Sequence, residues 1–494
     1  MVGIIKEPLS IALMLAIISA FLIVFLPSAS AIPPPPLTTP PILEWSHTYG
    51  GPLFDEGRAV LQTADGGYII AGATSSLSKD GSYEGLLFKT DANGTLQWLK
   101  TYGDDDNNTM IYAMVNTSDG GYALTGKSWP KAGNSTGSGE DVILIKTDAA
   151  GNMQWKTYYG EPKNDSGGES LVQSWDGGYA IVGYTESYGA GGEEVYLVKT
   201  DAGGNLLWNM TYGSKYDDIG YYITESYDNS YQVTSKGYDN VYLLAGQIVS
   251  DATDSQSDHN IYLMEVAASD GSILDETGYA YSGPTICRSI LNGTHSVMAN
   301  VVNDGHYNIA LTDQLGSINE GDWGLATYGG DNDTIGYSSI LYGDGVITAG
   351  YTESFGNGMK DVYLLKTWPT SNYMGGGLQW QQAYGGDKDD IAYSVAPTSD
   401  GGLIVVGSTE SFGYGGEDVY LLKIMPNPTA LNFFTYPNQN STRDNPISTN
   451  IVQFQQSPTP SAPAATVKPT PGIDFLTTAT LFIALPFALR KIKR

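Results

Sequence analysis

One phrase recurs along this chain and constrains its fold more than any other feature. It reads Lys-Thr-Asp-Ala-x-Gly-x-x-x-Trp-x-x-x-Tyr-Gly. It spans Lys89 to Gly103, Lys146 to Gly160 and Lys199 to Gly213. Weaker copies end at Tyr281, Tyr328 and Tyr384, and a headless copy opens the series at Trp45 and Tyr49. The seven Tyr marks, at 49, 102, 159, 212, 281, 328 and 384, lie 53, 57, 53, 69, 47 and 56 residues apart. Such spacing means one supersecondary module repeated. No single module of this size buries its apolar faces alone, so the modules must stack.

The first full unit, residues 57–103, shows what the module is. Ala59-Val60-Leu61-Gln62-Thr63 is β-prone, and Asp65-Gly66-Gly67 turns the chain tightly because Gly accepts positive φ. Tyr68 to Thr74 is a second strand and Gly85 to Thr90 a third. Asp91-Ala92-Asn93-Gly94 turns again, and Leu96 to Tyr102 is a fourth. The strands are apolar runs, as expected when both sheet faces are covered, and no helical period appears. The Asp-Gly-Gly turn returns at Asp119–Gly121, Asp176–Gly178 and Asp400–Gly402. In the fourth unit, Tyr242 to Gly246 matches Tyr68 to Gly72 if residues near 227–240 are an insertion.

Four strands per unit and seven units predict an all-β chain, a seven-bladed β-propeller of four-stranded blades over residues 42–425. The series starts with a fourth strand, Ile42–Tyr49, and stops after a third, Asp418–Ile424. The N-terminal strand is therefore expected to complete the last blade and close the ring.

The Asp-Ala-x-Gly-x-x-x-Trp stretch resembles the tryptophan-docking motif of quinoprotein-like propellers, which implies Trp packed between neighbouring blades. The unit as a whole is similar to tandem repeats of exported propeller proteins of archaea and some bacteria. That resemblance covers residues 42–425. A quinoprotein dehydrogenase is disfavoured by the count of seven and by the single cysteine, Cys287, which reads as a small core residue.

The chain ends point to export. Residues 10–26 are apolar, follow Lys6 and precede Ala29-Ser30-Ala31, so residues 1–31 read as a signal peptide, with an uncleaved anchor as the alternative. Residues 32–41 are a Pro-rich spacer. Residues 426–472, rich in Pro, Ser, Thr and Asn, read as a disordered stalk. Residues 473–494 combine an apolar run with Arg490-Lys491-Ile492-Lys493-Arg494. This tail reads as a membrane span with the basic cluster inside, or as a sorting tail. Thr470-Pro471-Gly472-Ile473 resembles the archaeal Pro-Gly-Phe (PGF-CTERM) sorting signals, which implies processing and lipid linkage, although Ile473 stands where that signal has Phe. Asn-x-Ser/Thr sequons at Asn93, Asn107, Asn116, Asn134, Asn164, Asn209, Asn292, Asn332 and Asn440 are candidate glycosylation sites of an exported protein.

Function is less legible. The net charge of −29 argues against nucleic acid as a partner. The Asp-Gly-Gly and Asp-Ala-x-Gly turns share one face, and the long, variable loops share the other. On that loop face the sequence places Asp55-Glu56, Asp104, Asp105, Asp106, Asp165, Asp217, Asp218, Asp331, Asp333, Asp387, Asp389 and Asp390. Glu186, Glu193, Glu194, Glu353, Asp361, Glu410 and Asp418 fall there too. Repeated Asp at a strand start commonly binds backbone amides. Asp104, Asp105, Asp106, Asp217, Asp218, Asp387, Asp389 and Asp390 are also candidate metal ligands, and Ca²⁺ is a candidate ion, though the spacing is not that of an EF-hand. The four histidines, His47, His259, His295 and His306, do not cluster, and no nucleophile elbow, phosphate loop or zinc pattern occurs. No catalytic residue and no cofactor is assigned. The sequence thus predicts a cell-surface, non-enzymatic propeller that presents a binding or adhesion face to a glycan, protein or cation ligand, held to the cell membrane by its tail. A surface carbohydrate-acting enzyme using rim carboxylates, and a structural component of the cell envelope, are the alternatives.

Overall fold

The computed structural model describes residues 39–131, 139–226, 240–249, 259–279, 285–291, 296–303, 305–312, 326–368, 377–425 and 449–453. The expected signal peptide, most of the spacer, most of the stalk and the tail 473–494 lie outside the described residues. So do Asn134, Asn292, Asn440 and His295. Among the described residues no helix is long and apolar enough to cross a membrane.

Seven sheets follow one another along the chain, six of them four-stranded and antiparallel. Their first strands are Asp55–Gln62, Asn107–Asn116, Asp165–Gln173, Ile219–Ser226, Thr285–Leu291, Thr334–Tyr342 and Asp390–Pro397, here blades 1 to 7. Each first strand touches that of the next blade, and the first strand of blade 7 touches that of blade 1. The ring is a seven-bladed propeller. Its core lies between blades, as apolar clusters that each draw on two neighbouring sheets.

The closure is the one the repeat phase demands. Leu43–Gly50 pairs antiparallel with Asp418–Ile424, Leu43 opposite Ile424 and Tyr49 opposite Val419. Blade 7 also gains a fifth strand. Thr449–Gln453 lies parallel to Leu43–Gly50, with Ser46 opposite Thr449 and Gly50 opposite Gln453. Those five residues fall within the stretch expected to be an unstructured stalk. They are a Pro-free, β-prone run, Thr-Asn-Ile-Val-Gln, and the outer edge of the closing strand offers unpaired backbone groups.

The recurrent phrase is explained residue by residue. Its Lys, on the third strand, reaches the Asp of the Asp-Gly-Gly turn of its own blade: Lys89–Asp65 at 2.6 Å, Lys146–Asp119 at 2.9 Å, Lys199–Asp176 at 2.7 Å. Its Asp caps the next turn, as where Asp148 accepts the amides of Ala150 at 2.9 Å and Asn152 at 2.8 Å. Its Trp leans on the following blade. A Cβ on Gly151, at φ +73°, would stand 2.6 Å from the Trp98 ring, and one on Gly204, at φ +79°, 2.5 Å from Trp155. Glycine at that turn therefore serves both backbone conformation and docking. The final Tyr donates to the carbonyl of the same glycine: Tyr102 to Gly151 at 2.7 Å, Tyr159 to Gly204 at 2.6 Å, Tyr212 to Gly271 at 2.6 Å. The closing strand does likewise, Tyr49 to Gly94 at 2.5 Å. The phrase is thus an inter-blade fastening.

Two sequence expectations shift. In blade 4, Ile261 pairs with Tyr279, the register that Val195 and Tyr212 hold in blade 3. The mark of that unit is therefore Tyr279, two residues before Tyr281, which lies outside the described residues. The first strands also begin earlier than expected, at Asp55 rather than Ala59 in blade 1. Asp55, Glu56, Asp165 and Asp390 are consequently strand residues. Blade 4 aligns as expected, Gly246 opposite Gly220 as Gly72 is opposite Gly57. Cys287 is fully buried, and burial pushes its thiol up to about 12.

Candidate functional site

The loop face presents only some of its carboxylates to solvent. Asp55, Asp165 and Asp390 open their first strands and are fully buried. Asp55 accepts from the Gly51 amide at 2.8 Å, from Ser76 Oγ at 2.6 Å and from Thr74 Oγ1. Asp165 repeats this with Glu161 N at 2.7 Å, Ser187 Oγ at 2.6 Å and Thr185 Oγ1. Asp390 does so with Gly386 N at 2.7 Å and Thr409 Oγ1. In blade 6 a neutral pair, Thr334 and Thr352 at 2.9 Å, takes the same place. These aspartates pin the second-to-third loop to the blade.

The remaining candidate metal ligands are divided. Asp218 is buried and accepts the amides of Ser214 at 2.5 Å and Val249 at 2.8 Å. Asp104 accepts from Lys156 at 3.1 Å and Tyr158 at 3.0 Å. Partial burial opposes its ionisation, but Lys156 and the Asn107 amide outweigh this and hold the carboxyl near 2. Asp389 lies 3.2 Å from Lys360. Asp105, Asp106, Asp217 and Asp387 are exposed, at three different blade junctions. The structure does not bring the eight together. Among the described residues no group of three or more His, Cys, Asp or Glu side chains is placed to hold a metal ion. His306 Nδ1 lies 3.6 Å from Asp333, and His47 packs against Trp45 and Tyr49.

The convergent site is the central channel, which sequence reasoning missed. Every first strand carries a β-bulge near its start, and in six of them the bulged residue lines the channel. The bulged residues are Arg58, Tyr112, Tyr221, Arg288, Tyr337 and Tyr393, in blades 1, 2, 4, 5, 6 and 7. In blade 3 the bulge falls at Gly168-Glu169. A glycine commonly stands opposite. A Cβ on Gly407 would lie 1.7 Å from the Ile391 carbonyl, and one on Gly350 1.8 Å from that of Ile335. Blade 5 has Ala299 there, opposite Cys287.

The six described residues line a cavity of about 240 Å³ with serines 170, 289, 338, 339 and 394 beside them. All six are half-buried. Arg58 lies over Tyr393 at 3.9 Å and Tyr112 at 5.4 Å, and Arg288 over Tyr221 at 4.2 Å and Tyr337 at 5.3 Å. Arg58 Nε also donates to Glu56 at 2.8 Å. Each guanidinium is therefore held by aromatic faces, an arrangement that fixes an otherwise flexible side chain. Burial pushes the hydroxyl of Tyr393 well above its ordinary range, so it stays a neutral donor and acceptor. The geometry offers aromatic faces, hydroxyls and oriented N–H groups around one small volume. Among the described residues that line it there is no Asp, Glu, His or Lys.

No family model matches the chain, and neither does any curated protein sequence. Several solved structures are similar in fold. The β-propeller domain of the Trilobed protease from Pyrococcus furiosus is 8% identical, with TM-score 0.40, over 77% of this chain and 94% of that one. A protein of unknown function from Dyadobacter fermentans is 9% identical, with TM-score 0.41, over 78% and 100%. A polysaccharide lyase of family PL25, an ulvan lyase, is 11% identical, with TM-score 0.41, over 78% and 95%.

Proposed function

We propose that this protein is an exported, surface-anchored, non-enzymatic propeller that binds a compact polar ligand of sugar dimensions at the loop-side mouth of its channel. The ring of Arg58, Tyr112, Tyr221, Arg288, Tyr337 and Tyr393 carries this reading. Small-ligand sites are concave, largely aromatic and supplied with a few oriented polar groups, and the ring has these features. The loop-face aspartates at the strand starts support the non-enzymatic part. The strand-start aspartates are buried and committed to Thr, Ser and amide donors, so they are not available to a substrate. Export is supported by the signal-like residues 1–31, by the apolar tail 473–494, and by sequons, of which Asn93, Asn116 and Asn332 are exposed.

A glycan array and a hydrolase and lyase screen on the purified chain test this reading together. Glycans should be retained and recovered unchanged. Tyr337→Ala or Tyr393→Ala should weaken retention by about tenfold, near 1.4 kcal/mol. Turnover of a retained glycan would transfer the protein to the enzyme alternative. Retention unaffected by both substitutions would move the site away from the channel.

A further inference from the structure

At the seams between blades, carboxylates meet in pairs, all of them buried except Asp141, which is half-buried. The first residue of a third strand faces the first residue of the next blade's first strand across the Gly that ends the Tyr-Gly phrase. Around Gly50, a Cβ would stand 1.7 Å from Asp418 Oδ1 and 3.0 Å from Asp55 Oδ2. Around Gly385, the distances are 2.0 Å to Asp361 Oδ1 and 2.7 Å to Asp390 Oδ2. Around Gly160, they are 2.2 Å to Asp141 Oδ1 and 3.0 Å to Asp165 Oδ2. Only a residue without a side chain lets two carboxylates converge there.

The two members of a pair are not equivalent. Asp55, Asp390 and Asp165 each receive a threonine hydroxyl and a backbone amide; at Asp55 and Asp390 these oppose burial, which still pushes Asp55 up to about 6 and Asp390 upward. Their partners are poorer in donors. Asp418 Oδ2 accepts only the Tyr414 amide at 2.7 Å, and Asp361 Oδ2 the amides of Asn357 and Gly358 at 3.0 and 3.2 Å. Asp418 Oδ1 and Asp361 Oδ1 are buried and have no hydrogen-bond partner, and each residue is only 1% exposed. Two carboxylates at such range do not both ionise cheaply. A hydrogen on the orphan oxygen would make it a donor to its neighbour and satisfy both.

We propose that each of these three seams holds one shared proton, carried by Asp418, Asp361 or Asp141 and donated to Asp55, Asp390 or Asp165, so that the ring tightens in mild acid and loosens in mild alkali. The neighbouring groups agree. Among the described residues no Lys, Arg or His makes an ion pair with any of the six. The other titratable groups facing them are acidic or neutral: Tyr420 beside Asp361 and Asp390, and Glu161, Tyr188 and Tyr196 beside Asp141 and Asp165. Burial first, and the facing Asp55 next, push Asp418 up to about 7, and burial with Asp390 pushes Asp361 up to about 6. Burial, Asp165 and Glu161 push Asp141 up to about 6.

Each carboxyl thus binds its proton more tightly in the folded chain than at its ordinary value of 3.8. The stabilisation is complete below that value and is lost as pH rises through 6 to 7. Carboxyls held low, such as Asp65 and Asp104 near 2, act only at stronger acidity.

Thermal melts of the full chain from pH 5 to 8.5 at fixed ionic strength test the proposal. Wild-type Tm should fall by several degrees across that range. Asp418→Asn with Asp361→Asn and Asp141→Asn places an N–H where the O–H was, so it should at least halve the fall. Asp55→Asn removes an acceptor that three donors need, so it should lower Tm at every pH. Where the combined variant does not fold, infrared titration of the wild type and of each single Asn variant replaces it. Absorption by protonated carboxyl should be present at pH 6, lost by 8.5, and diminished by each single substitution. A Tm independent of pH, an undiminished fall in the combined variant, or the absence of that absorption would overturn the proposal. So would a rise in Tm at pH 8.5 with Ca²⁺, beyond a matched sodium control, that the Asn variants abolish, since the pairs would then hold a metal ion.

Discussion

A chain lacking residues 42–50 should melt far below the intact protein, whereas a chain lacking 32–41 should melt close to it. Leu43–Gly50 supplies the fourth strand of blade 7, and its Ser46, Thr48 and Tyr49 are at most 1% exposed. Without it, the edge of Asp418–Ile424, whose residues are all buried, faces solvent. Tyr49 also leaves the cluster it forms with Tyr68, Phe88, Val406 and Leu421 across blades 7 and 1, and its bond to Gly94 is lost. In contrast, the described part of residues 32–41 contributes a 3.5 Å contact from Tyr384 to the Pro41 carbonyl. Differential scanning calorimetry of the two deletions decides the matter. Equal melting temperatures would mean that the ring does not depend on its N-terminal strand.

Trp380→Ala should cost roughly 3–5 kcal/mol, the range for a large aromatic removed from a core that collapses only in part. Trp380 is 3% exposed and belongs to a cluster that joins Val362 and Leu364 of blade 6 to Val405, Tyr420 and Leu422 of blade 7. Its Nε1 is buried without a hydrogen-bond partner. Trp380→Phe should therefore cost much less, because it keeps most of the packing and removes an unsatisfied donor. Chemical denaturation of both variants measures the difference. A loss below about 1 kcal/mol for the alanine would show that the seam repacks freely. Trp98, Trp155 and Trp208 are only half-buried, so their losses should be smaller.

The propeller was legible because its fastening is local in sequence and repeated. Lys, turn Asp, Gly, Trp and Tyr recur in one window, and each has one task at one seam. The closing strand was legible from phase alone. The buried aspartates were not. Asp55 beside Pro52 and Gly51 looks like a loop residue, and its partners stand about twenty residues on, Thr74 at the end of the next hairpin strand and Ser76 in the loop beyond it. The channel ring escaped for a related reason. A bulge breaks the period of two by one residue, so Tyr337 in Ile335-Gly336-Tyr337-Ser338 reads as an irregularity. Aligning that tetrapeptide with Ile391-Ala392-Tyr393-Ser394 and Ile286-Cys287-Arg288-Ser289 would have exposed it. Blade 4 offered two tyrosines in register-compatible positions, and only strand pairing selects Tyr279.

The most direct test of the binding account is a crystal structure of the protein soaked with a glycan that the array retains. Density inside the ring, stacked on Tyr337 or Tyr393 and within reach of the Arg58 or Arg288 guanidinium, is the expected result. Density on the outer surface of the blades or along the Asp-Gly-Gly turns, with the channel empty of glycan, would contradict it.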